Sequence, residues 1–224
     1  MAMLSEVLSE LRSLVAGRGG IADGILPPLV FVIVNALFGV TAAAWTAMGT
    51  ALVIVAWRLA RRAELRYALS GVIGTLAATL LAVRSGRAET YFLPGIVSGA
   101  MTTVALLVSL VLKRPAAAYA SWVTRQWPLD WYWHPRVRPA YTAATVLWVA
   151  YFGVRTAVTW WLFQGGQTEA LAVVRVVSGW PGLLALLVAT YVLGRNRLEA
   201  LGGPSVDEFV EERPPPWQGQ PTGF

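Results

Sequence analysis

Residues Gly24 to Trp57 form a single uncharged run of 34 residues. As one α-helix the run would extend roughly 51 Å, against a bilayer hydrocarbon core of about 30 Å. It is therefore expected to fold back on itself. The Phe38-Gly39-Val40-Thr41 stretch is the best place for the break, which predicts two short antiparallel helices over about 24–39 and 42–57. Further apolar runs follow at Tyr67–Val83, Tyr91–Leu112, Tyr141–Phe163 and Ala170–Leu193. The expected fold class is all-α, a polytopic transmembrane bundle of six spans over residues 20–195.

Composition supports the bilayer as solvent. Hydrophobic residues make up 56% of the chain and charged ones 13%, against about 25% charged in a soluble domain, too few to cover a water-facing surface. The absence of cysteine excludes disulfides, iron–sulfur clusters, thiolate zinc sites and cysteine nucleophiles. The spans hold almost no acids, and no Asp-rich diphosphate motif, Gly-x-Ser-x-Gly elbow or P-loop occurs. No enzyme, no resident metal and no cofactor are expected. The one histidine, His134, lies in the Trp131-Tyr132-Trp133-His134-Pro135 run and reads as an interface residue.

Lys and Arg outnumber Asp and Glu 18 to 12, but they sit in short loops. This placement speaks for topology and anionic-lipid contact, and against a nucleic-acid partner. Under six spans, one side collects Arg12, Arg18, Arg58, Arg61, Arg62, Arg66, Lys113, Arg114, Arg125, Arg136, Arg138, Arg195, Arg197 and Arg213, and the other only Arg84 and Arg87. The positive-inside rule then places both termini in the cytoplasm. Glu6 and Glu10 stand where a cleavable signal would be basic. Leu4, Leu8, Leu11 and Val15 mark residues 1–19 as an amphipathic cytoplasmic helix, lying on lipid or on the protein's own cytoplasmic face.

The connection 113–140 carries Tyr119, Trp122, Trp127, Trp131, Tyr132 and Trp133, with Tyr119, Val123 and Trp127 at helical spacing. It is expected to hold an interfacial helix at the headgroups, with Pro115 in its first turn. Residues 196–224, acidic and then Pro-rich, read as a disordered or extended cytoplasmic tail.

At Gly20, Asp23, Leu26-Pro27-Pro28, Val30-Phe31-Val32 and Asn35 the chain resembles a family of actinobacterial integral membrane proteins, the domain-of-unknown-function family 3159. The resemblance continues through Gly86-Arg87-Ala88-Glu89, Phe92-Leu93-Pro94-Gly95, Pro135-Arg136, Arg138, Ala140-Tyr141, Arg155, Arg175 and Gly179-Trp180-Pro181, over roughly residues 19–195. It implies a small polytopic plasma-membrane protein and supplies no reaction, substrate or site residue.

Charges inside the spans are the functional lead. Arg155 and Arg175 fall at similar depth in the outer half, where each cation costs at least about 2–3 kcal/mol unless it snorkels or finds a partner. Asn35 and Ser98 share that half, with Glu89 and Glu169 at the outer helix entrances. Two readings stay open. One is a polar pocket for a small anionic or polar solute, giving a transporter-like or solute-binding protein. The other pairs an arginine with Glu169 or Glu89, or lets it snorkel outward, in a non-transporting scaffold of envelope homeostasis that docks a cytoplasmic protein partner.

Two sequence echoes suggest an inverted three-plus-three repeat. Asp23 with Leu26-Pro27-Pro28 matches Glu89 with Leu93-Pro94-Gly95, and Ser70-Gly71-x-x-Gly74 matches Ser178-Gly179-x-x-Gly182.

Overall fold

The computed structural model describes residues 21–60 and 65–224, and every regular element among them is helical. The amphipathic helix expected near the N-terminus lies outside the described residues. In chain order the helices are α1 (Ile21–Ala60), α2 (Leu65–Ser85), a 3-10 turn (Ala88–Phe92), α3 (Leu93–Val111), α4 (Ala116–Arg125), α5 (Leu129–Trp133), α6 (Arg138–Gln164), α7 (Thr168–Val177), α8 (Trp180–Leu201) and α9 (Val206–Val210).

Among the described residues four helical stretches are long and apolar enough to cross a membrane, not six: Pro27–Trp57, Ala88–Val111, Arg138–Gln164 and Thr168–Leu201. The break expected at Phe38–Thr41 is present: Gly39, with φ 81° and ψ 173°, is non-helical, so the stretch Pro27–Trp57 holds two helical segments on either side of it. The expected third span, Tyr67–Val83, lies within α2, whose 21 residues extend about 32 Å at 1.5 Å per residue. These helices make the chain a multi-pass membrane protein. Side chains such as Phe38, Val53 and Trp161, each about two-thirds or more exposed, are large apolar groups that water would penalise and lipid accepts.

The repeat is not borne out. Ser70-Gly71 lies within uninterrupted α2, whereas Ser178-Gly179 separates α7 from α8. Pro27 and Pro28 sit inside α1, whereas Pro94 opens α3.

The chain forms two compact units. The first comprises the described residues up to Gly99 with Arg155–Leu184, the second Ala100–Val154 with Ala185–Phe224. In the first unit α1 and α2 meet through Ala43, Ala44 and Ala47 against Ala78 and Ala82, all buried. Small side chains let the backbones approach closely, the usual solution where lipid removes the hydrophobic drive between helices. Buried Thr79 donates its hydroxyl to the Ala44 carbonyl at 3.2 Å.

The second unit is built on Trp131, Tyr132, Tyr141, Ala117, Ala118 and Leu198. Ser121 lies 3.2 Å from the Tyr132 hydroxyl and 3.5 Å from that of Tyr141. Burial pushes the Tyr132 hydroxyl above its ordinary range, against the Ser121 hydrogen bond and the Arg125 charge. The expected helix of the 113–140 connection is α4, with Pro115 as its N-cap. Tyr119 and Val123 are exposed, while Trp127, past a left-handed cap at Gln126, turns inward to stack edge-on against Trp131.

The C-terminal residues pack on the aromatic cluster of the second unit. Phe224 stacks on Tyr141 at 4.4 Å with its rings 10° from parallel, and its carbonyl accepts from Arg125 Nε at 3.2 Å. Arg195 Nη2 donates to the Pro221 carbonyl at 2.8 Å. The composition hides this because three aromatics, Phe209, Trp217 and Phe224, supply the anchoring area, while the prolines restrict the unfolded chain.

α9 is held by a reciprocal cap. The Ser205 hydroxyl accepts from the Glu208 N–H at 3.1 Å, and the Glu208 carboxylate accepts from the Ser205 N–H at 2.8 Å and the Gln218 N–H at 2.8 Å. Those donors, Gln218 first and Ser205 next, hold the Glu208 carboxyl below its ordinary range. A depressed carboxyl stabilises the fold above its unfolded value, and the contribution fades as the pH falls through the folded value. Ser205→Ala is expected to cost about 1 kcal/mol and Glu208→Gln to flatten this acid dependence. Thermal melts in detergent from pH 7 to 3 check both, and an unchanged acid profile in the Gln variant would refute the assignment.

Candidate functional site

The polar residues of the first unit are positioned by an aromatic corner. The 3-10 turn delivers Tyr91 and Phe92, both buried, onto Phe31 of α1. Phe31 and Tyr91 stack at 4.0 Å and 12°, and Phe92 meets both edge-on. The next residues, Leu93-Pro94-Gly95, start α3, where proline needs no N–H.

Gly95 and Gly99, one turn apart, leave that face of α3 without side chains. The Arg175 Nη1 lies 3.4 Å from where a Cβ on Gly95 would stand, and a Cβ on Gly99 would fall 2.7 Å from the Thr156 hydroxyl. The Arg175 guanidinium is 6.0 Å from the Phe92 ring centre, within cation–π range. Arg155 is half-buried on α6. α7 ends two residues beyond Arg175, and the break at Ser178-Gly179 keeps its hydrogen bonds through Ser178 N–H and Oγ, both to the Val174 carbonyl.

The expected pairing of Arg155 or Arg175 with Glu89 or Glu169 does not form among the described residues. Glu89 is buried and bonded to Arg87 Nε at 2.6 Å, and Glu169 is exposed in the first turn of α7. The physical reason is sequence proximity: Arg87 reaches Glu89 across one intervening residue, without any helix having to move. Asn35 is half-buried on α1, and Ser98 is exposed with its hydroxyl donating to the Gly95 carbonyl at 3.2 Å. Sequence reasoning missed Tyr91, Phe92, Gly95 and Thr156. The Gly95-x-x-x-Gly99 spacing is the signal that marks a face open to close approach.

No curated protein and no solved structure matches the chain. A family model described as a protein of unknown function, DUF3159, matches residues 15–200. That range takes in the aromatic corner, both arginines and the membrane helices, and on it the chain is a member of the DUF3159 family.

Proposed function

We propose that this is a transporter-like or solute-binding protein of the plasma membrane whose site, centred on Arg155 and Arg175, takes a small anionic or polar solute. Arg175 carries the reading. Its guanidinium lies over Phe92 and Gly95 in an apolar helix, without an ion-paired carboxylate among the described residues, and Arg155 supplies a second cation in the same compact unit. A cation so placed costs at least about 2–3 kcal/mol, and an anion between the two arginines offsets both desolvation and mutual repulsion. The broken helix at Ser178-Gly179 supports the reading, since solute sites in membranes are commonly built at discontinuous helices.

Orientation follows from charge in the same proposal. Lys113, Arg114, Arg125 and Arg136 precede the span beginning at Arg138, Arg213 follows the one ending at Leu201, and the turn at 165–167 between these spans has no cation. The basic side is cytoplasmic by the positive-inside rule, and the C-terminal segment lies there.

Purified protein in detergent, melted with and without millimolar phosphate, chloride or acetate, tests the site. At least one anion should raise the melting temperature of the wild type, and Arg175→Leu or Arg155→Leu should abolish that rise while leaving membrane insertion intact. If no anion shifts the wild type and both Leu variants melt higher, the solute reading fails. The scaffold reading, favoured by the folded tail around Phe224, would then stand.

A further inference from the structure

We propose that Lys113 and Arg114, with the exposed face of α4, form a seat for the phosphate headgroup of an anionic phospholipid. α3 closes with paired hydrogen bonds, Arg114 N–H to the Ser109 carbonyl at 2.9 Å and Lys113 N–H to the Leu110 carbonyl at 3.0 Å. This closure needs a left-handed residue, usually glycine, yet Lys113 occupies it at φ 55°. The position thus carries a cation in a conformation that glycine would adopt without strain.

The neighbouring cation is held in place as well. The Arg114 guanidinium lies 4.4 Å from the Trp133 ring centre, and Tyr119 packs on the same ring at 5.5 Å. A guanidinium already stacked on an aromatic face presents its planar donors to phosphate with little further ordering. Beyond it, α4 buries Ala117, Ala118 and Ser121 and leaves Tyr119, Trp122 and Val123 exposed by 41%, 36% and 62%. These three are neighbours at i, i+3 and i+4, an apolar stripe directly following two cations.

Chain geometry decides what covers the stripe. The second candidate span ends at Val111 and the third begins at Arg138. Lys113 and Arg114 are therefore within about 10 Å of the hydrocarbon edge, at no more than about 3.5 Å per residue. That is the headgroup layer, where tryptophan and tyrosine are favoured and where anionic lipid complements the cations. The first amides of α4 do not compete for the phosphate, since Ala116 N–H donates to Ser109 Oγ at 3.2 Å and Ala117 N–H to Thr145 Oγ1 at 3.1 Å.

The test uses the full chain in dodecylmaltoside, titrated with dioleoylphosphatidylglycerol or dioleoylphosphatidylcholine and read by native mass spectrometry. Lys113→Gln with Arg114→Gln is expected to weaken phosphatidylglycerol binding roughly 30-fold and to leave phosphatidylcholine unchanged. Lys113→Gly relieves the left-handed strain, so it should fold at least as well and still lose about fivefold. Brominated lipid in bilayers should quench part of the wild-type emission, and Trp122→Phe, which leaves Trp131 and Trp133 in place, should remove the Trp122 share of that quenching. Equal binding of the two lipids by the wild type, unaltered phosphatidylglycerol binding in both variants, or quenching that Trp122→Phe leaves unchanged would each overturn the proposal. So would a concentration-dependent dimer that buries Trp122 in lipid-free micelles.

Discussion

Trp131→Ala is expected to cost about 3–5 kcal/mol, the largest single loss in the second unit. The indole is fully buried and sits edge-on against Trp127, Tyr132 and Tyr141, so truncation leaves a cavity lined by rings too stiff to collapse into it. Its Nε1 also donates to the Pro204 carbonyl at 2.9 Å, an acceptor left in an apolar setting once the indole is gone. Trp161→Ala is the control: that side chain is 67% exposed, and its removal should change stability by no more than about 0.5 kcal/mol. Equilibrium unfolding in mixed micelles measures both, and equal losses at the two positions would mean that the aromatic cluster does not support the fold.

Gly39→Val is expected to cost about 2–3 kcal/mol for a different reason. An added Cβ at Gly39 meets nothing within 4 Å, so packing does not oppose the change. The backbone does, because φ 81° with ψ 173° lies in a region essentially reserved for glycine. A β-branched residue must leave that region, and the route open to it is to continue the helix past the hydrocarbon thickness. Gly49→Ala separates backbone from packing effects. Gly49 is helical with equally open surroundings, and alanine there should be neutral or stabilising by up to about 1 kcal/mol. If Gly39→Val unfolds like the wild type, the break is not set by this residue.

Gly39 also shows what could be read in advance. A 34-residue uncharged run exceeds the bilayer, so a break was required, and the glycine near its middle was the cheapest place for it. The helical character of the apolar runs follows from the same arithmetic of 1.5 Å per residue.

Pairing was a different matter. Glu89 and Glu169 are acids at plausible heights, but which cation each meets depends on helix rotation, which hydropathy does not encode. The structure gives Glu89 to Arg87 and lays Arg175 on the bare Gly95 face. The tail makes the same point from composition. Residues 202–224 have the polarity and proline content of a disordered segment, and only the ring of Tyr141 and the guanidinium of Arg125, brought from elsewhere in the chain, give Phe224 something to pack on. Apolar composition and run length determined that the chain is helical and crosses a membrane, because the bilayer imposes its thickness on every span separately. They did not determine the number of spans: run length predicts six, and four long apolar stretches stand among the described residues. The side-chain partners were decided in three dimensions, because each depends on contacts between segments far apart in sequence.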